Sequence, residues 1–144
     1  MANVRDFGAV GDGRTDDTNA IQHAIQDGDG QIEFDRGDFL ITRSLVLDTS
    51  KTGRAAVSGQ GGSAKIVMAG AGAAFRLLGT HVSTADPGGF RPEEWKRERM
   101  PTIRGIEIEG AHPEADGISI RGVMQPTLSS VLIRETRHAV HVVD

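Results

Sequence analysis

"PTIRGIEIEG" at 101–110 is echoed by "PTLSSVLIRE" at 126–135, an offset of 25 residues that sets Ile106 and Ile108 against Val131 and Ile133. "ADGISIRG" (115–122) and "RHAVHVVD" (137–144) align at an offset of 22, and "AAFRLLG" (73–79) fits the same frame. Apolar residues alternate within each segment, as they must on a strand that buries one face. Short alternating strands recurring every 22–25 residues are the mark of a solenoid whose turns stack on their neighbours. One inward ladder is then Phe75, Ile118 and Val140, with Leu77, Ile120 and Val142 beside it. About three and a half turns fit the chain. The reading is specific: 103–109 pairs in parallel with 128–134, not in a hairpin with 116–121.

Composition agrees with many short strands joined by tight turns. The 144 residues include 19 glycines, no tyrosine and 4% aromatics, and the apolar residues are mostly Ile, Val, Leu and Ala. There is no cysteine, which excludes disulfides and thiolate metal sites. The net charge of −4 is spread in mixed runs without a basic stripe, so no nucleic-acid partner is expected. No run of about 18 apolar residues exists, so no membrane span is expected. No signal peptide is visible, and localisation stays open: extracellular or periplasmic if a signal has been removed.

The opening, "VRDFGAVGDGRTDDTNAIQHAIQ" (4–26), places Gly8, Gly11 and Gly13 within six residues. A phosphate loop would need Lys and Ser/Thr after the last glycine, but Arg14-Thr15-Asp16-Asp17 follow. A calcium loop would need alternating acids and a glutamate at the twelfth position, which from Asp12 is His23. The segment reads as a helix start instead. Asp16 or Thr15 caps the free N–H groups and Asp17 complements the positive helix end. Ala20, Ile21, Ala24 and Ile25 form the apolar stripe, with Gln22, His23 and Gln26 outward. Gly28 ends the helix as a left-handed residue. No cofactor or metal site is expected.

This opening motif resembles the N-terminal cap of the pectate lyase-like superfamily, in which a helix plugs the mouth of the coil. The resemblance continues through "IEFDRGDFLIT" (32–42), with Asp35 where proline is usual and Phe39 where tyrosine is usual, and through "VSGQGGSAKIVM" (57–68). It implies an all-β solenoid, a right-handed parallel β-helix with a short N-terminal capping α-helix. Residues 1–30 form the cap, 31–79 the first rungs and 101–144 further rungs of one domain. The whole is read as the N-terminal part of a longer β-helix. Between them, 80–100 is an excursion carrying the only tryptophan, Trp95, with Pro92, Glu93, Glu94, Lys96, Arg97 and Arg99 suiting one or two helical turns.

The resemblance also directs attention to outward sheet faces, where sugar-cleaving β-helices use paired carboxylates, or a metal with a basic proton acceptor. "EADGISI" (114–120) resembles the polygalacturonase segment N-T-D-G-I-D-I, which gives Asp116 the place of the general acid. Glu114-Ala115 replaces Asn-Thr, however, and Ser119 replaces the second aspartate. Asp-Gly is also a frequent tight-turn dipeptide. The 22-residue frame sets His138 one rung over Asp116, and His141 over Ser119 and Arg76. The candidate catalytic residues are therefore Asp116 and His138, and the candidate substrate-binding residues Arg76, Trp95 and His141. Glu109 falls beside Arg134, a modest exposed ion pair.

The expected function is that of a carbohydrate-related β-helix domain resembling polysaccharide lyases and hydrolases, without a complete active site in these residues. The alternative is a non-catalytic polysaccharide-binding or assembly module. Polysaccharide is the expected partner. A homo-oligomer is expected through the C-terminal end of the coil, where Leu128, Val131, Ile133, Val140 and Val142 form an apolar mouth.

Overall fold

The computed structural model describes residues 2–80, 100–123 and 125–143. The cap contains β1 (Ala2–Asn3), a 3-10 turn (Val4–Phe7), β2 (Asp12–Asp16) and α1 (Thr18–Asp27). The first turn of the coil is β3 (Gln31–Glu33), β4 (Gly37–Ile41) and β5 (Leu45–Asp48), followed by the short α2 (Thr49–Thr52). The second is β6 (Ala56–Ser58), β7 (Ala64–Met68) and β8 (Gly72–Leu78). The third is β9 (Thr102–Arg104), β10 (Ile106–Gly110) and β11 (Ala115–Arg121). The last is β12 (Thr127–Ser129), β13 (Leu132–Arg134) and β14 (Val140–Val143).

Equivalent strands of successive turns pair in parallel to give three sheets, in the orders β1-β3-β6-β9-β12, β13-β10-β7-β4-β2 and β14-β11-β8-β5. This is a right-handed parallel β-helix. Strand 103–109 pairs with 128–134 as the repeat requires, with Ile103 facing Leu128 and Ile108 facing Ile133. Among the described residues four turns are present rather than three and a half. Gln31 faces Ala56, Gly37 faces Ala64 and Leu45 faces Phe75, so the spacing of the first two turns changes along the coil. A fixed-period alignment therefore detects only the later turns.

Alternation becomes burial in this register. Leu45, Phe75, Ile118 and Val140 stack in one ladder and Leu47, Leu77, Ile120 and Val142 in the next. The first three members of each are buried, whereas Val140 and Val142 on the last turn are exposed. Phe34 meets Phe39 and Phe75 edge to face, a favoured geometry for rings in a core. Phe39 is fully buried and shows no need of a tyrosine hydroxyl, and Arg5 lies over its ring at 5.4 Å. Asp35 accepts from the Asn3 amide at 2.9 Å and pairs with Arg5 at 3.4 Å, so this departure from proline ties the first turn to the cap.

The cap differs from the sequence expectation in three ways, each with a physical reason. Asp16, one residue before the N-cap position Asp17, does serve the helix start, accepting from the Thr18 N–H (3.0 Å) and hydroxyl (2.5 Å), which holds its carboxyl below the usual range. Asp17, by contrast, does not complement the helix end from outside. It is 1% exposed, and its carboxylate accepts the Val10 and Gly11 N–H groups at 3.0 and 2.9 Å. Gln22 does not face outward. Its amide accepts from the Val46 N–H (2.9 Å) and donates to the Val46 carbonyl (3.0 Å), supplying the strand that the β5 edge lacks. Gly28 is extended (φ −83°), not left-handed; a Cβ there would lie 2.5 Å from the Ala24 carbonyl oxygen. Its need is close approach, not turn geometry.

On the outward face of the second sheet a charge ladder crosses four strands. Lys65 lies 2.9 Å from Glu109 and 4.0 Å from Asp38, while Arg134 reaches Glu107 at 3.0 Å and Glu109 at 3.3 Å. Arg134 thus bridges two carboxylates, where only Glu109 was expected. The Lys65 ammonium holds the Glu109 carboxyl below its ordinary value, and Glu109 raises Lys65 in turn. A carboxyl depressed in the folded state stabilises above its unfolded pKa, and that stability is lost as pH falls through the folded value. A raised lysine stabilises below its unfolded pKa, and that contribution is lost as pH rises through the folded value. Thermal melts of Glu109→Gln should therefore show a shallower loss of Tm from pH 7 to 3 than the parent. Parallel curves would rule the ladder out as a contributor.

Candidate functional site

The third sheet presents the chemically richest outward face. Alternation sends Val46, Arg76, Ser119 and His141 outward in one row across β5, β8, β11 and β14. A parallel row holds Asp48, Leu78 and Arg121. The register therefore brings Arg76, Ser119 and His141 together as the 22-residue frame predicts. These residues and Asp116 line a shallow cavity of about 300 Å3. A second cavity of about 480 Å3 adjoins it, lined by Arg76, Arg121, Asp48 and Ser50. Arg76 belongs to both, so the two make one trough running across the strands. Among the described residues neither Arg76 nor Arg121 has an ion-pair partner.

Asp116 behaves differently from a free acid. Arg137 grips it with two bonds, Nε to Oδ1 at 3.2 Å and Nη2 to Oδ2 at 2.9 Å. The His138 backbone N–H adds a third at 3.1 Å. The Arg137 guanidinium is the main reason its carboxyl lies below the ordinary range. A planar fork matched to both oxygens favours the ionised form at any working pH near neutrality. The His138 ring does not pair with this carboxylate; it stacks on the His141 ring, with centroids 5.8 Å apart. The hydrogen bond from His138 to Asp116 is therefore made by its backbone N–H.

Asp116-Gly117 is not a tight turn either. Both residues lie within β11, and Gly117 is required because a Cβ would sit 2.3 Å from the Ala139 carbonyl oxygen. Two contributors escaped the sequence reading. Arg121 was legible, since it continues the outward alternation of Ser119 along β11. Arg137 was not, because the 22-residue frame sets it over Ala115, and a connecting segment just before β14 turns its side chain onto Asp116. Trp95 and the excursion around it lie outside the described residues. Among the described residues no three His, Asp or Glu side chains stand close enough together to hold a metal ion.

Comparison with known proteins adds a family. Residues 1–104 match the family model described as rhamnogalacturonase A/epimerase, pectate lyase-like. That span contains β8 with Arg76 and ends before β11 and β14. Among solved structures, the chain resembles the A-module of mannuronan C-5 epimerase AlgE6 from Azotobacter vinelandii at 21% identity and a TM-score of 0.71, over 98% of this chain and 39% of that one. It resembles ORF18 of Geobacillus virus E2 at 22% identity and a TM-score of 0.67, over 90% of this chain and 25% of that one. It also resembles tailspike protein 3 of bacteriophage CBA120 at 17% identity and a TM-score of 0.59, over 93% of this chain and 25% of that one. At these identities the likeness is one of fold, and the chain spans well under half the length of each. No curated protein matches it.

Proposed function

The chain belongs to the rhamnogalacturonase A/epimerase, pectate lyase-like family, and we propose that it binds an acidic polysaccharide in the trough on its third sheet, without a complete catalytic set in these residues. The observation that carries this reading is the pair Arg76 and Arg121, two guanidiniums on adjacent turns with no acidic partner among the described residues. Unpaired guanidinium forks in a concave site suit carboxylates, which they can bind through two hydrogen bonds at once. Adjacent turns advance by about 4.8 Å, comparable with the advance of one sugar ring along a chain. A polymer with a carboxylate on each sugar could therefore meet one cation per turn. The name of the epimerase neighbour specifies mannuronan, an acidic polymer, as its substrate, which favours the same ligand class here.

Cleavage by paired carboxylates needs one group to deliver a proton and another to act as base or nucleophile. Asp116 is the one acid lining its cavity, and Arg137 holds it ionised, while Asp48 in the adjoining cavity accepts from the Ser50 N–H and hydroxyl. Turnover of polygalacturonate, alginate or β-glucan should consequently be negligible. Robust cleavage that vanishes in Asp116→Asn would overturn this part of the reading.

Calorimetry with polygalacturonate, alginate and a neutral β-glucan tests the binding part. The acidic polymers should bind and the glucan should not. Arg76→Ala and Arg121→Ala should each weaken binding about tenfold, the loss expected for one charge-assisted contact. Equal binding of the neutral glucan, or no change in both variants, would remove the proposal's basis.

A further inference from the structure

We infer that the cleft between α1 and α2 is an end pocket of this trough, taking the terminal acidic sugar of a polyuronate chain. The inference rests on the acidic-polysaccharide reading and adds to it a position and a direction. The cleft has a volume of about 370 Å3, within the range of small-ligand sites, and its lining includes Gln22, Gln26, Val46, Asp48 and Lys51. Asp48 also lines the cavity of Arg76 and Arg121, so the cleft adjoins that end of the trough.

The trough has a stop at this end. Gln22 fastens α1 onto the β5 edge through both hydrogen bonds of Val46, so the helix lies where a preceding strand of the third sheet would run. A polymer crossing the strands from β14 towards β5 meets the side of α1, and its last ring must sit in the cleft. The polar groups there are available. Among the described residues neither the Lys51 ammonium nor the Gln26 amide has a hydrogen-bond or ion-pair partner. Lys51 supplies a cation for a sugar carboxylate, and Gln26 supplies a donor and an acceptor for ring hydroxyls. Half-buried Val46 offers an apolar surface to the face of a ring. Lys51, Arg76 and Arg121 then place one cation on each of three successive turns, Arg76 and Arg121 in neighbouring outward rows of the sheet.

The test uses the full chain with trigalacturonate and with polygalacturonate as probes. The trimer, rich in ends, should bind at one per chain, and Lys51→Ala and Gln26→Ala should each weaken it at least fivefold. Both side chains are exposed, and matching melts would show that the variants fold. Amide shifts on adding trimer should include Gln26 and Lys51. If both variants bind trimer like the parent while Arg76→Ala is weakened, the end pocket is refuted and the acidic-polysaccharide reading stands. Binding of polymer without binding of trimer also refutes the pocket. If neither probe binds, the wider reading fails and takes the pocket with it.

Discussion

Phe75→Ala should lower the unfolding free energy by about 3–5 kcal/mol, the range for emptying a buried aromatic position. Phe75 is fully buried, lies between Leu45 and Ile118 in its ladder, and meets Phe34 edge to face at 6.4 Å. A cavity there separates the first turn from the third. In a solenoid each turn is stabilised by its neighbours alone, so the loss falls on the two interfaces of the second turn instead of being shared through a common core. A chain of this size has a total stability of roughly 5–15 kcal/mol, and the variant should melt far below the parent. Phe75→Leu, which refills most of the volume, should recover at least half of the loss. Urea denaturation of the three proteins decides the matter: a cost under about 1 kcal/mol for the alanine variant would mean that the ladder does not carry the coil.

Asp17→Ala should be the most damaging change in the cap, costing about 2–4 kcal/mol. The carboxylate is buried and is the acceptor for the Val10 and Gly11 N–H groups. Removing it leaves the part-buried Val10 and Gly11 N–H groups without their acceptor, and each unmet donor costs roughly 1–3 kcal/mol. Asp17→Asn keeps one acceptor oxygen and should fall between the parent and the alanine variant. Hydrogen exchange separates this from general destabilisation, because the Val10 and Gly11 amides should lose protection before those of β7 and β10. Protection unchanged at both positions would contradict the assigned role.

How far the chain could be read in advance follows from the range of the interactions involved. The coil was legible because stacking like on like writes itself into the sequence as a period. The pairing of Ile118 with Phe75 and Val140, and of Ser119 with Arg76 and His141, followed from counting residues. Interactions without a period were not legible. Asp17, Gln22 and Arg137 act on backbone or side chains that the fold brings near, and residue type alone left Asp17 and Gln22 with surface roles and Arg137 with none. Gly28 and Gly117 were read as turn residues, since glycine has a familiar use there. Both instead make room for a carbonyl on a neighbouring segment. The strand β2 was missed because its five residues, Asp12 to Asp16, include no apolar side chain and so carry no alternation that marks a strand.

The same distinction separates the two charged faces. On the second sheet Lys65 and Arg134 are spent on carboxylates, while on the third Arg76 and Arg121 remain open among the described residues. The claim that the third sheet is the binding face is tested most directly by mapping amide shifts of the isotope-labelled chain during titration with oligogalacturonate. The predicted result is a continuous set of shifted amides at Arg76, Ser119, Arg121 and His141, with Lys65 and Arg134 unmoved. Shifts centred on Lys65 and Arg134, or none at millimolar ligand, would contradict the account.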